Sequence, residues 1–244
     1  MKPITQAWSL LLSGYLLLTA STYASEIKPY KASYTAKYNW LLPFSGTATR
    51  ELSQSKDGTW IISHKVTSSV IKLEESSHFQ LEDSHIIPLR YQYLQTGLGK
   101  KRTTLIEFDW DNAKITGSSS KKGSFGYDLP LATLDKLTYQ LQLRRELMAG
   151  NRPGTYRVAD KRRLKEYAFE LLGEELLDTK LGKLNTLKFK RVRDQKTKRK
   201  TLIWLAKDWD YMLVQLHQTE KNKLYQIKVT KASLEGEPIT GIVP

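Results

Sequence analysis

Two aspartate pairs have the spacing of an acid–base site. Asp109 and Asp111 flank one tryptophan, and Asp208 and Asp210 flank another. On a strand, residues i and i+2 share a face, which separates two carboxylates by a distance similar to that in glycosidases. Each pair also lies where a predicted strand enters a turn, a position that favours Asp through its hydrogen bond to the backbone. A turn-forming role is the leading interpretation, and glycan hydrolysis is the alternative.

Motifs for nucleophilic or metal chemistry are weak in this chain. The Ser-x-x-Lys pattern of serine acyl-enzymes occurs three times, but in segments predicted as strands or turns rather than on one helix face. Glu74, Glu75 and His78 could ligate a metal from a helix, whereas on the predicted strand Glu75 faces away from the other two. Because no Walker or Rossmann loop occurs either, we expect no catalytic residue, no metal and no cofactor.

The strongest charge signal is a run of basic residues between two apolar segments. Eight cations fall within thirteen residues and are offset by Asp194 alone. The run is typical of a β-hairpin with a charged tip, and it is our candidate surface for an anionic ligand. The alternative is a solvated hairpin whose lysines protect a sheet edge from pairing. The eight residues are Lys188, Lys190, Arg191, Arg193, Lys196, Lys198, Arg199 and Lys200.

The whole composition is typical of a folded, basic protein without thiol chemistry. The chain has 244 residues, a formal charge of +14 and no cysteine. Its length allows one large domain or two small ones, and its aromatic and charged content argues against intrinsic disorder. The lack of cysteine excludes disulfide scaffolds, zinc ribbons, iron–sulfur clusters and thiol nucleophiles.

The N-terminus has the three parts of a secretory signal peptide. Lys2 supplies a positive start, residues 8–20 are mostly apolar, and small residues occupy the −3 and −1 positions before Ser25. The apolar run is too short for a membrane span. We therefore predict a signal peptide over 1–24, a single β-rich domain over 25–244, and export to the periplasm of a Gram-negative bacterium. After cleavage we expect a chain that does not span a membrane.

Apolar residues alternate with polar ones through most of the remaining chain, which predicts strands, most clearly over 30–38. One segment follows helical spacing instead. Leu137 and Leu141 belong to an apolar stripe that predicts an amphipathic helix over about 134–149, with Thr133 as its N-cap. Eleven to thirteen strands and one helix predict a mainly β fold. We expect a large antiparallel, strongly curved, half-barrel-like sheet with the helix against its concave side.

Several short segments together resemble a known family. They are YKASY at 30–34, SGTA at 45–48, PLRY at 88–91, FDW at 108–110, LTYQL at 137–141, GEE at 173–175 and WLA at 204–206. Their order and spacing resemble the proteobacterial envelope proteins of domain-of-unknown-function family 3108. The resemblance implies a secreted, β-rich protein and supplies no catalytic residue. The order of strands and helix is also similar to the lipoprotein-carrier half-barrels, at the level of the fold alone.

These observations lead to one functional hypothesis and two alternatives. We expect a non-enzymatic periplasmic protein that binds or carries an apolar or anionic amphiphilic component of the cell envelope. Its partner would be an anionic lipid, lipopolysaccharide or another envelope component, and not nucleic acid, which an exported protein rarely meets. An apolar concavity favours this carrier. Two carboxylates converging in an open cleft favour an envelope glycan hydrolase, and a filled interior favours an interaction scaffold without a small ligand.

Overall fold

The protein is described by a computed structural model that covers residues 26–39, 44–82, 85–193, 197–221 and 223–242. The predicted signal peptide, its cleavage site and Lys196 of the basic run lie outside these residues. Within them the chain is mostly strand, with one helix. The elements are β1 (Tyr30–Asn39), β2 (Phe44–Gln54), β3 (Trp60–Ser68), β4 (Ile71–Glu82), β5 (His85–Gly97), β6 (Lys100–Asp109), β7 (Lys114–Ser119), β8 (Gly123–Asp128), β9 (Thr133–Leu134), α1 (Thr138–Met148), β10 (Thr155–Asp160), β11 (Arg163–Thr179), β12 (Gly182–Val192), β13 (Arg199–Ala206), β14 (Met212–Glu220), β15 (Lys223–Leu234) and β16 (Glu237–Pro238).

All of these strands belong to one sheet, in which chain neighbours are almost always sheet neighbours. β1 to β8 form one antiparallel meander, and β10 to β15 form a second. β1 pairs with β15 along its whole length and so joins the two meanders. β9 adds a short parallel pairing to β10. Because β8 and β9 are the two ends of the described sheet, it does not close into a barrel. The predicted mainly β, antiparallel fold is confirmed.

The alternation predicted for the first strand builds the inner face of the sheet. Tyr30, Ala32, Tyr34 and Ala36 of β1 are buried, while the polar residues between them are exposed or half-buried. The hydroxyl of Tyr34 donates a hydrogen bond to the backbone carbonyl of Leu213 on β14, at 2.8 Å. Each large apolar side chain buried in this way contributes about 1.5–3 kcal/mol relative to exposure. The period of two therefore places the core on the concave side.

The predicted helix is present as α1, although it begins a few residues later than about 134. Its start is set by Asp135, whose Oδ1 accepts hydrogen bonds from the backbone N–H groups of Leu137 (2.8 Å) and Thr138 (2.9 Å). The hydroxyl of Thr138 in turn accepts a bond from the Asp135 N–H, at 2.8 Å. This reciprocal capping arrangement satisfies donors that the helix leaves free. Thr133, the expected N-cap, lies in β9 instead, and its hydroxyl donates to the carbonyl of Pro130.

The helix lies across the concave side and contacts both meanders. Arg50 on β2 donates to the side-chain oxygen of Gln140, at 2.7 Å. On the opposite side, Arg144 Nε donates to the backbone carbonyl of Asp210, between β13 and β14, at 2.8 Å. Leu141, which lies between Gln140 and Arg144 in the chain, is fully buried. α1 therefore closes the lower part of the concavity and leaves the space above it open.

Candidate functional site

A cavity of about 530 Å³ occupies the concave side above α1. Its wall includes residues from β1 to β5 on one side and from β11 to β15 on the other, which is possible only because the sheet curves back on itself. The described ends of three strands and the starts of the strands that follow them lie at the same edge of the sheet, and residues there line the upper part of the cavity. They are the ends of β3, β12 and β14 and the starts of β4, β13 and β15. The cavity therefore has a mouth at this edge and a floor at α1.

Three arginines of the basic hairpin line this mouth. Arg191 lies over the ring of Tyr167, with its guanidinium carbon 3.1 Å from the ring centroid. Arg193 Nη2 donates to the hydroxyl of Thr201 at 3.1 Å. Arg199 Nε donates to a carboxylate oxygen of Glu220 at 2.9 Å. Burial lowers the pKa of Arg193 to about 10, and the neighbouring guanidinium groups of Arg191 and Arg199 lower it in the same direction.

Lys188 and Lys190 of the same hairpin point to the other face. Lys188 Nζ is 3.0 Å from a carboxylate oxygen of Glu175 and lies over the ring of Trp204. Lys190 Nζ is 3.0 Å from a carboxylate oxygen of Glu170. Six of the eight predicted cations also line a second, shallower pocket of about 290 Å³: Lys190, Arg191, Arg193, Lys198, Arg199 and Lys200. Among those that the structure describes, Arg191, Arg193 and Arg199 face the cavity, whereas Lys188 and Lys190 form ion pairs outside it; Lys198 and Lys200 are exposed at the tip.

Below the arginines the wall is apolar, and the floor is polar. Val66, Leu73 and Leu216 form the apolar band. At the floor, Glu75 accepts a hydrogen bond from the hydroxyl of Tyr91 at 2.7 Å, and burial raises the pKa of this carboxyl group. Four residues of strand separate the mouth at Ile71 from Glu75, which gives a depth of about 13 Å at ~3.3 Å per residue. The cavity is thus a well with a cationic mouth and an apolar wall.

Two further ionisable groups of the floor carry no free positive charge. Burial and the nearby Arg50 guanidinium lower the pKa of His64 to about 3, so that its ring is neutral at physiological pH. Lys136, in the turn before α1, has its Nζ 2.9 Å from a carboxylate oxygen of Asp160, which also pairs with Lys165. The positive potential of the cavity therefore comes from its mouth.

The two aspartate pairs lie elsewhere and mostly serve turns. Asp109 accepts hydrogen bonds from the backbone and side-chain nitrogens of Asn112, at 3.0 and 2.8 Å, and these bonds lower its pKa. Both Asp109 and Asp111 line a groove of about 920 Å³ at the opposite end of the sheet. A glycosidase acid needs a raised pKa, which Asp109 does not have.

The second pair does not share a strand face, because its segment is a turn. Asp208 accepts a bond from the side-chain amide of Asn185 at 2.9 Å. Asp210 has a φ of 49° and presents its backbone carbonyl to Arg144. The possible metal ligands are also separated: Glu74 is exposed on one face of β4, and Glu75 lines the cavity on the other. Within the described residues, no three His, Asp or Glu side chains gather as a metal site.

Sequence reasoning found the arginines but not their separation from the lysines, and it did not single out Glu75 or Tyr167 as cavity residues. The signal that separates the two groups is the alternation of inward and outward side chains along β12. Phe189 is apolar, so Arg191 and Arg193, which follow it at two-residue steps, share its inward face. The same step places Lys188 and Lys190 on the outward face. Once the inner face of β12 is known, the alternation therefore predicts which cations face the cavity and which face outward.

Comparisons with known proteins identify the family and one solved structure of similar fold. A family model described as protein of unknown function (DUF3108) matches residues 33–226, which confirms the expected resemblance. No curated protein matches the chain in sequence. The crystal structure of a β-barrel-like protein of domain of unknown function DUF1849 from Brucella abortus is similar, with a TM-score of 0.59 at 10% identity, over 85% of this chain and 98% of that one. A DUF1329 family protein from Desulfovibrio piger aligns over 90% of this chain and 89% of its own, at 12% identity and a TM-score of 0.24.

Proposed function

Because the chain belongs to the DUF3108 family, whose description assigns no activity, we propose a function from the cavity itself. The protein is a non-enzymatic periplasmic binding protein that holds one amphiphile with an anionic head group. The tail of the ligand lies in the well, against Val66, Leu73 and Leu216. The head group lies at the mouth, where Arg191, Arg193 and Arg199 donate hydrogen bonds to it.

One observation carries this proposal: cationic and apolar surfaces are stacked along the depth of a single cavity. A purely apolar ligand would leave the three arginines without a binding partner. A small anion would leave the apolar band in contact with water. An interaction scaffold without a small ligand needs no open interior, whereas about 530 Å³ of this one is open. An amphiphile matches both surfaces at once.

The periplasmic placement is part of the proposal and rests on the signal-peptide pattern of residues 1–24. Envelope amphiphiles are available in that compartment, and nucleic acids rarely are. Among the described residues, α1 is the longest helix, and neither its length nor its hydropathy is sufficient to cross a bilayer. Our proposed link between this protein and the membrane is its ligand.

A charge placed in the apolar band tests the proposal. Leu73→Asp adds a carboxylate beside the expected tail, so we expect the affinity for decyl phosphate, measured by calorimetry, to fall at least tenfold. Leu94→Asp is the matched control, because Leu94 is exposed on the neighbouring strand β5. Circular dichroism verifies that both variants fold. Equal affinities in the two folded variants would show that the tail does not occupy the well, and the proposal would be wrong.

A further inference from the structure

The charges at the mouth of the cavity do not balance. Arg199 pairs with Glu220, whereas Arg191 and Arg193 contact a tyrosine ring and a threonine hydroxyl and have no acidic partner among the described residues. The arginine cluster at the mouth therefore presents two positive charges without a counter-charge among the described residues. Lys37, which also lines the cavity, adds a third positive charge that pairs with no described acid.

We propose that the head group of the ligand is a doubly charged phosphate monoester, rather than a carboxylate, a sulfate ester or a phosphodiester with one charge. This inference rests on the proposed function and specifies its ligand. A dianion neutralises both unpaired arginines, Arg191 and Arg193, whereas a monoanion leaves one of them. The type of cation supports the same conclusion, because three arginines of the hairpin line the cavity, whereas Lys188 and Lys190 do not line it and pair with Glu175 and Glu170. The planar fork of arginine matches phosphate oxygens two at a time.

Because the arginine cluster is partly buried, a second negative charge on the ligand should increase its affinity strongly. Arg193 lies close enough to Arg191 and Arg199 for their repulsion, together with burial, to lower its pKa. Charges in a partly dehydrated site interact more strongly than charges in water. A ligand with two negative charges relieves this repulsion more completely than a ligand with one.

Decyl phosphate and decyl sulfate test the proposal because they share a tail and a tetrahedral head group and differ in charge. The second pKa of a phosphate monoester is about 6, so decyl phosphate is a dianion at pH 8 and a monoanion at pH 5. Decyl sulfate is a monoanion at both. Calorimetry should give at least a tenfold higher affinity for the phosphate at pH 8 and nearly equal affinities at pH 5.

The ratio of the two affinities reports the charge of the head group, because a change in the protein's own protonation affects both ligands. His64, with a pKa of about 3, and Tyr139 and Tyr225, each with a pKa of about 12, keep their charge between pH 5 and 8. The Arg199 guanidinium lowers the pKa of Glu220, which stays ionised. Glu75 lies on the floor, about 13 Å below the mouth, where distance and screening weaken its effect on the head group, so Glu75→Gln should change the ratio little. The remaining cavity groups with a proton to exchange are Lys37, Tyr38, Tyr93, Lys136 and Tyr167.

Two triple variants with the same change of charge identify the residues responsible. Replacing Arg191, Arg193 and Arg199 with Gln should reduce the phosphate-to-sulfate ratio at pH 8 to about one. Replacing Lys190, Lys198 and Lys200 with Gln should leave the ratio above ten. If the arginine triple variant does not fold, Arg193→Gln alone should still lower the ratio, and the wild-type measurement at two pH values needs no variant.

The remaining outcomes separate this inference from the proposed function. Equal, tight binding of both ligands at pH 8 would overturn the inference that the head group is a dianion. The proposal that the protein binds an amphiphile would still stand. Binding of neither ligand would overturn the proposed function, and this inference with it. Inorganic phosphate is the third probe, and we expect it to give no measurable heat at the same concentrations. If it binds as tightly as decyl phosphate, the site is one for free phosphate and the tail contributes nothing.

Discussion

Phe189 orients the cations of strand β12. Its side chain is fully buried on the inner face, so the residues two and four positions later, Arg191 and Arg193, must also point inward. Lys188 and Lys190 then point outward, where Glu175 and Glu170 neutralise them. Because the two faces differ in ion pairing, the same number of charges has different consequences on each face. The inward face is free to bind an anion, and much of the outward face is already paired.

Asp160 supports the floor of the cavity and makes part of the stability depend on pH. Burial alone would raise its pKa, but Lys136 and Lys165 together lower it to about 2. This value lies below the ~3.9 of an unfolded chain, so ionised Asp160 stabilises the fold above about pH 4, and that contribution is lost as the pH falls towards 2. We therefore expect Asp160→Asn to lower the Tm at pH 7 and to have little effect near pH 2.

Asp128→Asn is the control for this measurement. Asp128 also pairs with a lysine, Lys114, at 2.6 Å, but its side chain is 83% exposed. Solvent screens such a pair, so we expect no measurable change in Tm at either pH. A difference between Asp160→Asn and wild type that stayed constant from pH 7 to pH 2 would contradict the role given to the Asp160 carboxylate.

At the scale of single elements, α1 should be the most sensitive part of the fold. Leu141 is 1% exposed and packs between the two meanders. Leu141→Asp removes its packing and buries a carboxylate without a partner, so we expect a loss of at least about 3 kcal/mol in the free energy of unfolding. Leu131→Asp, at a position 82% exposed in the preceding loop, should have almost no effect. Thermal unfolding followed by circular dichroism compares them, and equal Tm values would contradict the packing.

The sequence predicts elements well where one periodicity extends over many residues. β1 and α1 are of this kind, and both were expected from their apolar spacing. Three strands were not expected: β9 and β16 have two residues each, and β8 is GSFGYD, whose glycines weaken any β signal. The start of α1 was placed too early because Thr133 suits an N-cap, whereas in the structure Asp135 accepts the hydrogen bonds of the first turn. Only the sheet, which takes Thr133 into β9, decides between them.

At the scale of the whole molecule, export should remove the first 24 residues. Small residues at −3 and −1 are what signal peptidase accommodates, and Thr22 and Ala24 occupy these positions. We predict that the exported protein begins at Ser25, as measured by N-terminal sequencing of protein from the periplasmic fraction. Ala24→Lys is the control variant and should retain the full-length chain. Periplasmic protein that began at Met1 would contradict the signal peptide.

The family and the curved antiparallel sheet could be predicted from sequence, because strand patterns and short motifs are local. The cavity could not, because it depends on which strands face each other across the sheet. Tyr167 on β11 and Leu73 on β4 line the same well although seven other strands separate them along the sheet path through β1 and β15. No local pattern encodes that distance. The sequence showed the arginines as a run of positive charge. Only the curvature of the sheet places them at the mouth of a cavity.

The pairing of β1 with β15 sets an order for folding. Each meander needs only contacts between chain neighbours, and such contacts form quickly. The joint between the meanders needs the first and the last long strands, and loop closure of this size is slow. In the export that we propose, β1 to β8 would emerge first and expose the unpaired edge of β1 until β15 has crossed the membrane. For that interval the nascent chain is open to aggregation, and a periplasmic chaperone that shields one strand edge would protect it.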